Sequence, residues 1–311
     1  MKKYRKIFTP ITAAMLIGIV AFSSCDKDDD MDQMAETQSI VQIASANSSF
    51  STLVAALTKA DLVTTLQGDG PFTVFAPTNE AFAALLADLG VSSLDDLSAE
   101  ALKPILLYHV LSGKVLSTDL SNGYVGTLSS GPEDTKISLQ VDADDVLLNG
   151  TSEVTSADIL ASNGVIHVIN KVLIPPTVVG LAINNPDFSI LVEAVVKAEL
   201  VETLSGAGPF TVFAPTNAAF EALFATLGIS GIADLTKEQL IPILTYHVVS
   251  GNVLSGELST GNVATLNGDI AVNVGMSAVT INGSSNVVLA NVQGSNGVVH
   301  VIDEVLLPSA K

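Results

Sequence analysis

Phe50, Leu53, Val54 and Leu57 recur at i, i+3, i+4 and i+7, and Phe188, Leu191, Val192 and Val195 repeat that spacing 138 positions later. The spacing predicts an amphipathic helix at the start of each half of the chain, with one apolar stripe turned to a core. Gly68-Asp69-Gly70-Pro71 and Gly206-Ala207-Gly208-Pro209 then break the helix. Next come Phe72, Val74 and Ala76 alternating with Thr73 and Phe75, the pattern of a half-buried strand. Pro77 holds Ala76 extended and ends the ladder, and Thr78 or Asn79 caps a new helix whose face is Phe82, Leu85, Leu86 and Leu89. A further helix begins near Ser98 or Thr236, where Thr236 and Gln239 have capping-box spacing, and Pro104 and Pro242 are expected to bend or restart it.

Beyond Tyr108-His109 the pattern changes to strands: KVLSTDL, KISLQVDADDVLLNG, EVTSADIL and VIHVINKVLI, with Asp144-Asp145 as a turn. Helices early and strands late in one unit predict an α+β fold rather than a parallel α/β sheet.

Three blocks are written twice. FTVFAPTNEAF at 72–82 returns as FTVFAPTNAAF at 210–220, and YHV at 108–110 returns at 246–248. NGVIHVINKVLIP at 163–175 returns as NGVVHVIDEVLLP at 296–308, now offset by 133 because SSGPEDTK in the first half faces only NGD in the second. A Gly/Pro/charge cluster that changes length between copies reads as a surface hairpin loop. Pro175-Pro176-Thr177 is too short and stiff to let the halves drift apart, so a constrained tandem is expected.

These ordered blocks resemble the fasciclin (FAS1) domain over residues 39–175 and 178–308. The resemblance implies, for each copy, a β-wedge or sandwich of about seven strands with helices packed beside it, and extracellular adhesion or matrix contact rather than catalysis. Family adhesion segments of the Asn-Lys-Asp-Ile type align with Ser156-Ala157-Asp158-Ile159, so Asp158 and Ile159 become candidate contact residues. Copy two carries Leu289-Ala290-Asn291-Val292 there and loses the carboxylate. The resemblance also offers the Tyr-His pairs, Tyr108-His109 and Tyr246-His247, as adhesive candidates. The residue-level reading differs, since a histidine set among Val and Ile in a strand, such as His167 or His300, usually satisfies a buried hydrogen bond.

Composition narrows the function. Apolar residues make up 48% of the chain but aromatics only 5%, with no Trp, so the cores are aliphatic. The formal charge is −19, and without Lys2, Lys3, Arg5 and Lys6 nine basic residues face 32 acidic ones. So acidic a surface repels phosphate backbones, and nucleic acid is not an expected partner.

Residues 1–24 read as an export signal, with a cationic start and an apolar run from Ile11 to Phe22, shorter than the ~20 residues a membrane span needs. Cys25, the only cysteine, follows Phe22-Ser23-Ser24 as in a lipoprotein lipobox and is the expected lipidation site. Residues 25–38 are an acidic tether, and Lys27-Asp28-Asp29 resembles an export signal to the outer face of the outer membrane.

The chain lacks a Gly-x-Ser-x-Gly elbow, a His-Glu-x-x-His motif and a phosphate-cradling glycine loop. Asp142, Asp144 and Asp145 lack the glycine and distal Glu of a helical calcium loop. No cofactor, metal or catalytic residue is expected. The predicted role is a surface-anchored adhesion or matrix-interaction protein that meets an extracellular protein or polysaccharide. The alternative is a binding protein for an extracellular glycan or polymer, serving biofilm or nutrient capture.

Overall fold

The computed structural model describes residues 38–276 and 278–308. The export signal, Cys25 and nearly all of the tether lie outside the described residues. Copy one comprises helices α1 (Ile40–Ala46), α2 (Ser51–Lys59), α3 (Val63–Gln67), α4 (Asn79–Leu89) and α5 (Ala99–Tyr108). Its strands are β1 (Phe72–Pro77), β2 (Val110–Ser112), β3 (Gly123–Ser130), β4 (Lys136–Asp142), β5 (Leu147–Leu148), β6 (Ser152–Ala161) and β7 (Gly164–Ile169). Copy two repeats this order with α6 (Val178–Asn184), α7 (Ser189–Lys197), α8 (Val201–Ser205), α9 (Asn217–Leu227) and α10 (Lys237–Tyr246). Its strands are β8 (Phe210–Pro215), β9 (Val248–Ser250), β10 (Gly261–Thr265), β11 (Gly268–Val274), β12 (Val279–Ile281), β13 (Ser285–Gly294) and β14 (Gly297–Ile302).

The fold is α+β, as the pattern predicts. In copy one the seven strands close in sequence order, β1 pairing antiparallel with β2 and parallel with β7, and in copy two the order is β10-β11-β12-β13-β14-β8-β9. Each copy has two apolar clusters. One lies between helices and sheet, around Phe50, Leu53 and Phe82 or around Phe188, Leu191 and Phe220. The other fills the strand interior, around Phe75 and Leu139 or around Phe213 and Ile270.

Several expectations change. β1 is buried on both faces, Thr73 and Phe75 included, because β2 and β7 flank it and a core lies on either side. Fully covered strands lose the alternation that a half-buried strand keeps. In α4 only the N-terminal end of the predicted stripe is buried, and Leu89 is exposed. Pro104 and Pro242 neither stop nor restart their helices, since each lies inside a single ten-residue helix. Burial of Leu102, Leu106 and Tyr108 offsets the missing backbone bond. KVLSTDL forms a short 3-10 turn rather than a strand, while β2 and β3 lie outside the predicted strands. The helices α1 and α6 were missed too, although Ser39 with Gln42 forms a capping box and Thr177 caps α6.

Thr78 and Thr216 cap α4 and α9 through their hydroxyls, and the Thr236–Gln239 capping box forms. Residues 143–146 make the turn expected at Asp144-Asp145.

Candidate functional site

The repeated polar residues are the candidates, and the fold uses nearly all of them internally. His109 follows the last residue of α5 and is 2% exposed. Its Nδ1 faces the Ile105 carbonyl at 2.8 Å, and its Nε2 accepts from the Leu173 amide at 2.9 Å. That pair of partners requires the neutral Nδ1–H tautomer. His247 repeats the arrangement with Ile243 and Leu306, at 2.8 and 2.9 Å. Burial drives both imidazoles down to about 4, against the smaller opposing effect of the carbonyl bond. Each histidine therefore staples the end of its helix to the chain leaving the last strand.

Tyr108 is fully buried; its hydroxyl donates to the Ser138 carbonyl (2.9 Å) and accepts from Asn149 Nδ2 (3.1 Å). Burial pushes its pKa far above the ordinary phenol value, against the bond from Asn149. The Tyr246 hydroxyl makes the equivalent bonds, donating to the Asp269 carbonyl and accepting from Asn282 Nδ2. Neither Tyr-His pair reaches the surface, so the contact role offered by the resemblance is not open to Tyr108, His109, Tyr246 or His247 in the folded chain.

Asp158 sits at a β-bulge in β6 with φ of 62°. Its amide donates to His167 Nδ1 (3.2 Å), and its carboxylate accepts from the amide and hydroxyl of Ser117. Partial burial works against the charge, but the two Ser117 bonds outweigh it and hold the carboxyl below its usual range. Asn291 reproduces the geometry in copy two: φ is 62°, its amide meets His300 Nδ1, and its side chain bonds both amide and hydroxyl of Ser255. The carboxylate is thus exchangeable for an amide without change of shape, which identifies Asp158 as a pin for the bulge. Desolvation lowers the His300 imidazole, whose Nε2 faces the Val253 carbonyl. Ile159 pairs with Ile166 and packs, half-buried, against the copy-one core.

Other motif residues follow suit. Asn163 binds the Ile40 amide and the carbonyls of Leu66 and Gly68, each at 2.9 Å, joining α1, α3 and β7. Asn296 makes the same three bonds in copy two. Asn79 and Asn217, in the opening block, each tie the 3-10 turn before α2 or α7 to the helix that follows the strand. Asp142 accepts from the amides of Asp144 and Asp145, and Asp144 accepts from Asn122, so these carboxylates stabilise a turn. Among the described residues no group of three or more His, Cys, Asp or Glu could hold a metal ion.

What differs between the copies forms their joint. Gln293 of β13 donates its amide to Ser138 Oγ of β4 at 2.9 Å, buried, while its Nε2 binds Asn252 and the Gly297 carbonyl. Ser138 is the residue whose carbonyl Tyr108 holds, so the motif tyrosine positions a strand of the joint. Tyr124 of β3 packs against the copy-two core and accepts from Asn185 Nδ2 at 3.1 Å. The length-variable loop is also part of the joint, because a Cβ on Gly131 would approach the Gly294 carbonyl to 2.8 Å. Gly150, at φ of 66°, comes equally close to Asn184. Reading the sequence missed this surface. Its signal is a contrast between copies: Ser138, Tyr124 and Gln293 stand where the other copy has Ala271, Asn262 and Leu160.

Two closely similar α+β units with the same buried hydrogen-bonding residues define a tandem-domain protein, and comparison with known proteins gives the class. A model of the Fasciclin domain matches residues 48–175 and 186–308, and the chain belongs to that family. The Synechocystis protein sll1483 is 48% identical over 133 residues, spanning 42% of this chain and 73% of that one. Transforming growth factor-beta-induced protein ig-h3 of Sus scrofa is 32% identical over 250 residues, 79% of this chain and 36% of the relative. Human periostin is 30% identical over 252 residues, again 79% of this chain, and 29% of periostin. The chain thus spans only about a third of either animal relative. A solved FAS1 domain pair from the insect cell adhesion molecule Fasciclin I covers 82% of this chain and 92% of its own, with 19% identity and a TM-score of 0.44.

Proposed function

We propose that the chain is a non-catalytic, surface-tethered interaction module whose jointed fasciclin pair contacts extracellular protein. Fasciclin domains occur in adhesion and extracellular matrix proteins. The observation that carries the proposal is the internal use of the motif side chains: the histidines and tyrosines that could do chemistry are buried and bonded to backbone in both copies. Recognition then falls to the exterior, where the copies differ. The joint holds the two exteriors in fixed relation, which favours a partner that spans both, or two linked sites on one polymer. The acidic surface favours partners with basic patches and makes attachment weaken as salt rises. The tether and Cys25 would present the pair at the outer membrane surface.

The test is attachment of whole cells and of the purified full chain to arrayed matrix proteins and glycans. Saturable, salt-sensitive binding to an extracellular protein is expected, with attachment lost in cells lacking the gene. Undiminished attachment by those cells would end the adhesive reading, and binding confined to glycans would move it to polymer capture.

A further inference from the structure

Copy two contains a cleft between α6, α7 and α8. Its volume is about 50 Å³. Because about 10–15 Å³ on this measure admits one water, it has room for about four carbon atoms. The walls are apolar, Val178, Val195, Leu244 and Phe213 among them, and the one polar side chain that reaches them is the imidazole ring of His247. Both nitrogens of that ring are already bonded to backbone, so the cleft offers no free donor or acceptor.

The two copies differ here in a directed way. At the buried positions, Ile40 and Leu57 of copy one become Val178 and Val195, each one carbon shorter. At the rim, Ser45 and Thr58 become Ile183 and Val196, which line the cleft yet remain 60% and 57% exposed. Thr58 instead turns its hydroxyl back onto the Val54 carbonyl. At these four positions copy two therefore carries two fewer buried carbons and an apolar mouth where copy one has hydroxyls. Relaxed packing would explain shorter core residues but not larger apolar ones placed in solvent beside them, which costs exposed area.

The geometry points to a binding site in copy two for a short saturated aliphatic chain of about four carbons, the tail of a small free acyl or alkyl compound whose polar head stays at the rim. A peptide would bring backbone amides against walls that cannot pair them, whereas an alkyl tail carries no group needing a partner. The site is independent of the adhesive reading.

The probe is pentanoate, titrated into the full chain and followed by methyl NMR and calorimetry. Saturable one-to-one binding is expected, with shifts confined to methyls of the copy-two cleft. Each buried carbon is worth about a factor of four in affinity, so the double variant Val178→Ile/Val195→Leu should bind about 15-fold more weakly. Both substitutions install residues that copy one carries at the same places. The surface variant Ile183→Ser/Val196→Thr, which leaves the core untouched, should weaken binding several-fold. No saturation in the natural chain, affinity unchanged in both variants, shifts in copy one, or capture of lipid vesicles without binding of pentanoate would each overturn the site.

Discussion

Replacing Ser138 by Ala removes one oxygen from the joint and leaves the Gln293 amide buried without its acceptor at 2.9 Å. An orphaned buried donor costs about 1–3 kcal/mol. The strand itself should not suffer, because copy two carries Ala271 at the equivalent place in β11 and folds the same way. Nor is the Tyr108 bond lost, since it uses the Ser138 backbone carbonyl. The penalty therefore falls on the contact between copies. At about 2–4 °C per kcal/mol for a chain of this size, the melting temperature should fall by roughly 2–12 °C, and the single transition expected of a coupled pair should broaden or split. Ser129→Ala is the internal control. Ser129 Oγ is buried and finds no partner, so its removal should leave stability unchanged or raise it by up to about 1 kcal/mol. Differential scanning calorimetry of the two variants beside the natural chain decides the matter. Equal effects of the two substitutions, or two independent transitions already present in the natural chain, would refute the reasoning.

Two more outcomes follow from the buried polar groups. His109 and His247 ionise near 4 in the folded chain and near the ordinary 6.5 when unfolded, so the unfolded state binds more protons between those values. Stability is complete above about pH 6.5 and falls toward pH 4, by about 3 kcal/mol per histidine; urea midpoints that stay flat across that window would contradict the assignment. Asp158→Asn should change stability by less than about 1 kcal/mol because Asn291 already makes the same bonds, whereas Asp158→Ala should cost about 1–3 kcal/mol through the Ser117 amide and the positive φ; denaturant melts of the two variants check the contrast.

The sequence displayed what repetition and periodicity can carry. The α2 and α7 stripes, the Thr caps of α4 and α9, the capping box of α10 and the turn at 143–146 all follow from local spacing and all form. What stayed hidden depends on neighbours distant in the chain. β1 reads as half-buried until β7 is seen to pair with it from more than eighty residues away, covering the positions that alternation assigns to solvent. Pro104 reads as a helix breaker until the packing of Leu102, Leu106 and Tyr108 is known. The burial of the Tyr-His pairs was hidden for a related reason. A repeated Tyr-His pair looks the same in sequence whether it faces a partner or a core, and only the paths of Ile105 and Leu173 decide. The joint was legible in principle at Ser138, Tyr124 and Gln293, where a repeated scaffold breaks its own repetition.

The central claim is that the twice-written blocks build architecture and leave recognition to the exterior. Its most direct test is histidine NMR of the full chain from pH 3 to 8. The account predicts that His109 and His247 remain neutral Nδ1–H tautomers down to about pH 4. Titration of either ring near 6.5, or a shift of both on adding zinc or a binding partner, would contradict it.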